Sequence, residues 1–139
     1  YGETSLPYPE NFYSFTKVIQ EIIIQQSKLR WCIIRGNFVA REKYPYPKAF
    51  TDRWGTYLFA DQLARAIFDA IGLRATGIIH LVGNKKISMY ELSKKCPNSD
   101  DIQPISYEEF YKANPDAVKL TKDMSLKTVR WHKEYDIYG

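Results

Sequence analysis

Tyr13 and Lys17 stand four residues apart, the spacing that stacks two side chains on one face of a helix. A phenol exchanges protons poorly near neutrality, because its ordinary pKa is about 10. A cation one turn away favours the phenolate, lowers that value and turns tyrosine into a usable general acid or base. The same spacing recurs at Tyr44/Lys48 and Tyr90/Lys94. Tyr44 to Lys48 encloses Pro45 and Pro47 and cannot be a regular helix. Tyr90 and Lys94 fall on a helix that follows an apolar strand, where surface packing is the expected role. Context singles out Tyr13 and Lys17: a helix, then a short buried strand, then Arg35-Gly36-Asn37.

The elements that must position this pair follow from periodicity and punctuation. Residues 1–10 are rich in proline, glycine and short polar side chains and read as a loop. Asn11 can cap a helix in which Phe15, Val18, Ile19, Ile22 and Ile23 recur at helical spacing, running to about Leu29. Trp31 to Ile34 fits a fully buried strand. Residues 40–56 read as a long, proline-interrupted loop. Tyr57 to Leu73 reads as an amphipathic helix, and Gly77 to Val82 as a second apolar strand closed by Gly83-Asn84. Capping boxes at Ser88/Glu91 and Ser106/Glu109 predict helices ending before Pro97 and over 107–113, and a last short helix is expected around 125–131.

Helix–strand–helix–strand is the rhythm of a parallel α/β sheet with a right-handed crossover. Two strands alone leave a bare edge, so the pattern reads as the back end of a larger sheet. A homodimer formed through the edge of the 31–35 strand is a lesser expectation.

The bulk composition bounds the class. Of 139 residues, 45% are hydrophobic and 15% aromatic, which argues against disorder. The formal net charge of +4 is spread among carboxylates without a basic run, so no nucleic-acid partner is expected. The apolar runs are too short to cross a bilayer, and no signal peptide is expected at the start. Cys32 and Cys96 lack metal-type spacing and suggest reduced thiols in a cytoplasmic protein. His80 and His132 also have no metal-like partners in sequence, so packed or hydrogen-bonded roles are expected and no metal site is assigned.

Several blocks carry a family resemblance. Pro7-Tyr8-Pro9-Glu10, Tyr13 to Glu21 (YSFTKVIQE), Cys32 to Val39 (CIIRGNFV), Phe50 to Ala64 (FTDRWGTYLFADQLA), Gly77 to Leu92 (GIIHLVGNKKISMYEL) and Lys122 to Lys127 (KDMSLK) follow one another in order. Together they resemble the dTDP-4-dehydrorhamnose reductase-like branch of the extended short-chain dehydrogenase/reductases. The resemblance implies an α/β fold: the C-terminal portion of a Rossmann-like, doubly wound parallel sheet plus a small, mostly helical substrate-binding region. Residues 1–39 and 57–83 would end the sheet, and 40–56 and 84–139 would form the substrate-binding loop and small region, all as one unit.

Carried onto this chain, the resemblance implies NAD(P)-dependent reduction or epimerisation of a nucleotide-linked sugar. Tyr13 would be the proton donor and Lys17 its partner and ribose ligand, both contacting the NAD or NADP. Gly36, Asn37 and Phe38 would approach the nicotinamide end. Lys48, Arg53, Trp54 and Thr56 would face the nucleotide sugar, with Arg53 either a phosphate or sugar contact or a plain surface charge. The stiff Tyr44-Pro45-Tyr46-Pro47 run would line the substrate cleft. The family's glycine-rich phosphate turn is missing, so the chain reads as a fragment whose partner is the cofactor-binding N-terminal half of the same protein. The Ser or Thr that helps the tyrosine would lie upstream of Tyr1, since Thr4 and Ser5 are too close to replace it. Between Val39 and Phe50 the chain is shorter than in the reductases and resembles the Pro-Tyr-Pro-Lys form of epimerase-like relatives. The alternative is a non-catalytic binding or regulatory module on the same fold.

Overall fold

The computed structural model describes residues 1–137, so the last two residues of the 84–139 segment lie outside it. Helix α1 spans Phe12–Gln25. Asn11 caps it, its side chain accepting from the Ser14 N–H at 2.8 Å. It ends four residues before the expected Leu29. Ser27 Oγ accepts the Leu29 N–H at 3.1 Å, and this local bond competes with another helical turn.

Strand β1 (Cys32–Arg35) pairs in parallel with β6 (Gly77–His80), as the α/β rhythm predicts, but it is not the fully buried strand expected, since Cys32 is exposed and Ile33 alone of its residues is buried. Beside them β2 (Asn37–Val39) pairs in parallel with β5 (Tyr57–Phe59). Helix α2 (Ala60–Gly72) then runs back over the β1–β6 pair. Sequence periodicity extends this helix to Tyr57, but Tyr57, Leu58 and Phe59 are all buried and belong to a strand. Gln62 marks the true start by accepting the Phe59 N–H at 3.0 Å.

Two further expectations need correcting. Residues 40–56 are not loop throughout: β3 (Lys48–Phe50) and β4 (Trp54–Gly55) lie within them. These pair with β8 (Gln103–Ile105) in parallel and β7 (Ile87–Ser88) antiparallel. Strands of two and three residues are too short to show a period of two. The helix around 125–131 does not form. Its backbone N–H groups are drawn elsewhere, Lys127 to the Tyr1 carbonyl at 2.8 Å and Val129 and Arg130 to the Glu3 carboxylate at 3.0 and 3.2 Å.

The capping boxes do start helices where expected, at α3 (Met89–Ser93) and α4 (Tyr107–Ala113). One core gathers Leu63, Ala66 and Ala70 of α2 against Ile79 and Leu81. The other gathers Tyr44, Ala49, Tyr57, Phe59, Ile87 and Leu92 among its members. Phe59, Leu58, Leu81 and Leu92 are fully withdrawn from water, each such burial being worth roughly 1.5–3 kcal/mol. Helix α1 contributes no buried residue to either core.

Candidate functional site

Lys17 lies over the Tyr13 ring, its Nζ 5.4 Å from the centroid. Tyr13 is 69% exposed, so the phenol is open to whatever occupies that side of α1. Ser14, Lys17 and Glu21 follow at i, i+3 and i+7 along one helix face. At the end of that face Arg35 forks onto Glu21, Nε to Oε1 at 2.8 Å and Nη2 to Oε2 at 2.6 Å. The bidentate pair fixes α1 against the carboxyl end of β1.

That end opens onto a cleft of about 510 Å³ lined by Tyr8, Glu10, Ser14, Arg35, Asn37 and the 121–124 segment, among others. Glu10 accepts the Thr121 hydroxyl at 2.6 Å, which holds its carboxyl below the usual carboxylate range with help from Lys119. The Asn37 amide donates to the Met124 carbonyl at 2.7 Å. Gly36 passes so close to β6 that an added Cβ would sit 2.8 Å from the Leu81 carbonyl oxygen. Phe38 is 58% exposed. The expected turn is thus a single bare residue, Gly36, and Asn37 and Phe38 belong to β2, which carries an amide at the cleft and an outward ring.

The four residues expected at the sugar nucleotide do not converge. Lys48 and Arg53 share a ring-lined cavity of about 520 Å³ with Tyr44, Tyr46, Phe50 and Phe110. Both lie in or beside strands rather than in a free loop. The Arg53 guanidinium donates to the Thr121 carbonyl at 2.9 Å and reaches the Met89 and Met124 sulfurs, so it straps the 121–124 segment to β4. Thr56 is buried, exchanges hydrogen bonds with the Leu126 backbone and lines a separate space of about 400 Å³. Trp54 is half-buried in the ladder with Ser88, with Lys86 Nζ 5.9 Å from its ring.

The two decoy pairs resolve differently. Lys94 sits over the Tyr90 ring at 5.1 Å but donates to the Asp100 and Ile102 carbonyls at 2.9 and 3.1 Å. It closes a turn. Tyr44 is buried, and desolvation pushes its phenol up to about 12, which makes it a core residue. Lys17, by contrast, makes an exposed 3.4 Å contact with the Gln20 side chain besides lying over the Tyr13 ring.

Sequence reasoning missed two residues that hold the 121–130 stretch in place. Asp123 binds Lys86 and Ser125; these outweigh the upward push of burial and bring its pKa down to about 2. Glu3 is 5% exposed and accepts the backbone N–H groups of Val129 and Arg130. Both act over separations or through backbone bonds that no local spacing announces.

No family model matches the sequence, and no curated protein matches it significantly. Solved structures do match. A dTDP-4-dehydrorhamnose reductase from Bacillus anthracis, solved with NADP, superposes with a TM-score of 0.74 at 18% identity over 92% of this chain and 50% of that one. A hypothetical dTDP-4-dehydrorhamnose reductase from Sulfolobus tokodaii gives 0.70 at 26% identity, again over 92% and 50%. A UDP-N-acetylglucosamine 4-epimerase from Bacillus cereus gives 0.57 at 14% identity, over 87% and 53%. The chain spans about half the length of the solved chains it matches and shares their fold over that half.

Proposed function

We propose that this chain is the substrate-side half of an NAD(P)-dependent reductase or epimerase acting on nucleotide-linked sugars, completed by an N-terminal half that holds the cofactor. Residues 1–39 and 57–83 end the cofactor sheet, and 40–56 and 84–139 hold the substrate. The single observation that carries this reading is the Tyr13–Lys17 pair, exposed and stacked on a helix that Glu21 and Arg35 lock beside a cleft. The fold shared with the reductases and the epimerase supports it.

The residues present suit one end of the cofactor. An exposed hydroxyl and an ammonium stand side by side, and Gly36 keeps the adjoining turn bare where a side chain would strike Leu81. The glycines, at positions 2, 36, 55, 72, 77, 83 and 139, include no clustered turn for a pyrophosphate. When bound, the nicotinamide supplies hydride exchange with a sugar carbon. Lys17 would donate to the ribose hydroxyls beside Tyr13. Tyr13 gives its proton to the sugar oxygen as negative charge develops there, and takes it back in the reverse direction. Asn37 and the 121–124 segment border the sugar, and Lys48 with Arg53 offers positive charge to its nucleotide end.

The test is turnover by the full-length protein. NAD(P)H oxidation should depend on a nucleotide-linked 4-keto sugar, or a nucleotide sugar should be epimerised. Binding of such a compound with no turnover under either assay would move the chain to the silent-module alternative.

A further inference from the structure

Residues 124–130 have no regular secondary structure, yet they are fastened along their length, and Met124 and Leu126 at their start line the cleft. Asn37 holds the Met124 carbonyl and Thr56 holds the Leu126 backbone. The far end is held from beneath. There the Glu3 carboxylate, almost fully buried, accepts Val129 N–H at 3.0 Å on both oxygens and Arg130 N–H at 3.2 Å. It also meets the His80 backbone N–H at 3.4 Å. The fully buried His80 ring touches the same strap, Nδ1 lying 2.9 Å from the Lys127 carbonyl.

A buried carboxylate is costly unless its oxygens are satisfied. Here backbone donors from two separate stretches of chain satisfy it in place of an ion pair. We propose that Glu3 is a positioning residue whose ionised carboxylate latches the 127–130 strap to the end of β6, and that protonating it frees the strap and the cleft wall it continues.

The charges around the latch set the direction. His80 on β6 faces Glu3, and Arg35 at the end of β1 and the Tyr1 ammonium face His80 in turn. The Arg130 guanidinium turns away to the Ile78 and Thr76 carbonyls. Burial raises the Glu3 carboxyl, but the Val129 and Arg130 N–H groups outweigh it, and the folded value lies below the ordinary 4.5. A carboxylate depressed by folding stabilises above its unfolded pKa and loses that contribution as pH falls through the folded value. The latch therefore opens on acidification, below the ordinary carboxylate range.

Amide hydrogen exchange on the full-length protein tests this, with rates corrected for intrinsic pH dependence. Bonds to a charged acceptor are the strong ones, so Glu3→Gln should speed exchange at Val129 and Arg130 by roughly tenfold or more near neutral pH. Protection in α2 should hold. In the unsubstituted protein the same two amides should lose protection on acidification before α2 does. Unchanged protection in Glu3→Gln, or loss in step with α2, would overturn the latch. If Glu3→Gln does not fold, the acid series on the unsubstituted protein decides alone.

Discussion

Arg35 grips Glu21 with two nitrogens, and both side chains are largely shielded, at 18% and 19% exposure. The two residues lie 14 positions apart, on β1 and α1. Since α1 buries none of its own side chains among the described residues, this fork sets how the helix is turned against the sheet. The facing of Tyr13 and Lys17 therefore depends on a residue in the next strand.

Arg35→Met should cost about 2 kcal/mol, the usual worth of bonds to a charged group, and should loosen α1 selectively. Urea unfolding measures the first effect and exchange at the α1 amides the second. A variant as stable as the parent, with α1 equally protected, would mean that the helix is held by something else.

Lys17 and Lys94 share a spacing and a ring contact but not a task. Lys94→Met should lower stability by about 1 kcal/mol through its two lost carbonyl bonds and leave kcat alone. Lys17→Met should do the reverse, since its contact with Gln20 is exposed and weak. Thermal melts beside steady-state assays of the full-length protein separate the two.

Gly55 lies against the Tyr57 ring, and an added Cβ would come within 2.5 Å of its Cζ. Tyr57 is itself buried and cannot swing away cheaply. Gly55→Ala should therefore destabilise the protein by roughly 1–3 kcal/mol, as overpacking does. A neutral result in denaturant would show that Tyr57 has room to move.

Burial pushes the phenols of Tyr44 and Tyr57 up to about 12. Both pKa values are raised by folding, so the folded chain keeps protons that the unfolded chain releases above about 10. Stability is thus intact below pH 10 and falls between about 10 and 12. Phenolate absorbance followed against pH should show a late fraction that titrates with unfolding. If every tyrosine titrated near 10 while the chain stayed folded, the buried assignments would fail.

Much of the frame was legible because it is local. The helical spacing of Phe15, Val18, Ile19 and Ile22 marked α1, and the two Ser-to-Glu capping boxes marked where α3 and α4 start. The apolar runs at 31–34 and 77–82 marked the parallel pair. What stayed hidden depends on distant partners. Lys48–Phe50 and Trp54–Gly55 are strands only because residues 103–105 and 87–88 reach them. Residues 125–131 carry an apparent helical pattern, but Glu3, more than 120 positions away, takes the N–H groups a helix would need. Arg53 illustrates the same limit at the site, since its grip on Thr121, Met89 and Met124 is a tertiary fact.

The most direct measurement is kcat for Tyr13→Phe in the full-length protein, assayed with NAD(P)H and a nucleotide-linked 4-keto sugar. The exchange removes one exposed hydroxyl, so the fold and substrate binding should be unchanged. The expected loss in kcat is about 10²- to 10⁴-fold, the range for a positioned proton donor. A variant that turns over within a few-fold of the parent would contradict it, and the Tyr13–Lys17 face would then be a binding surface rather than a seat of proton transfer.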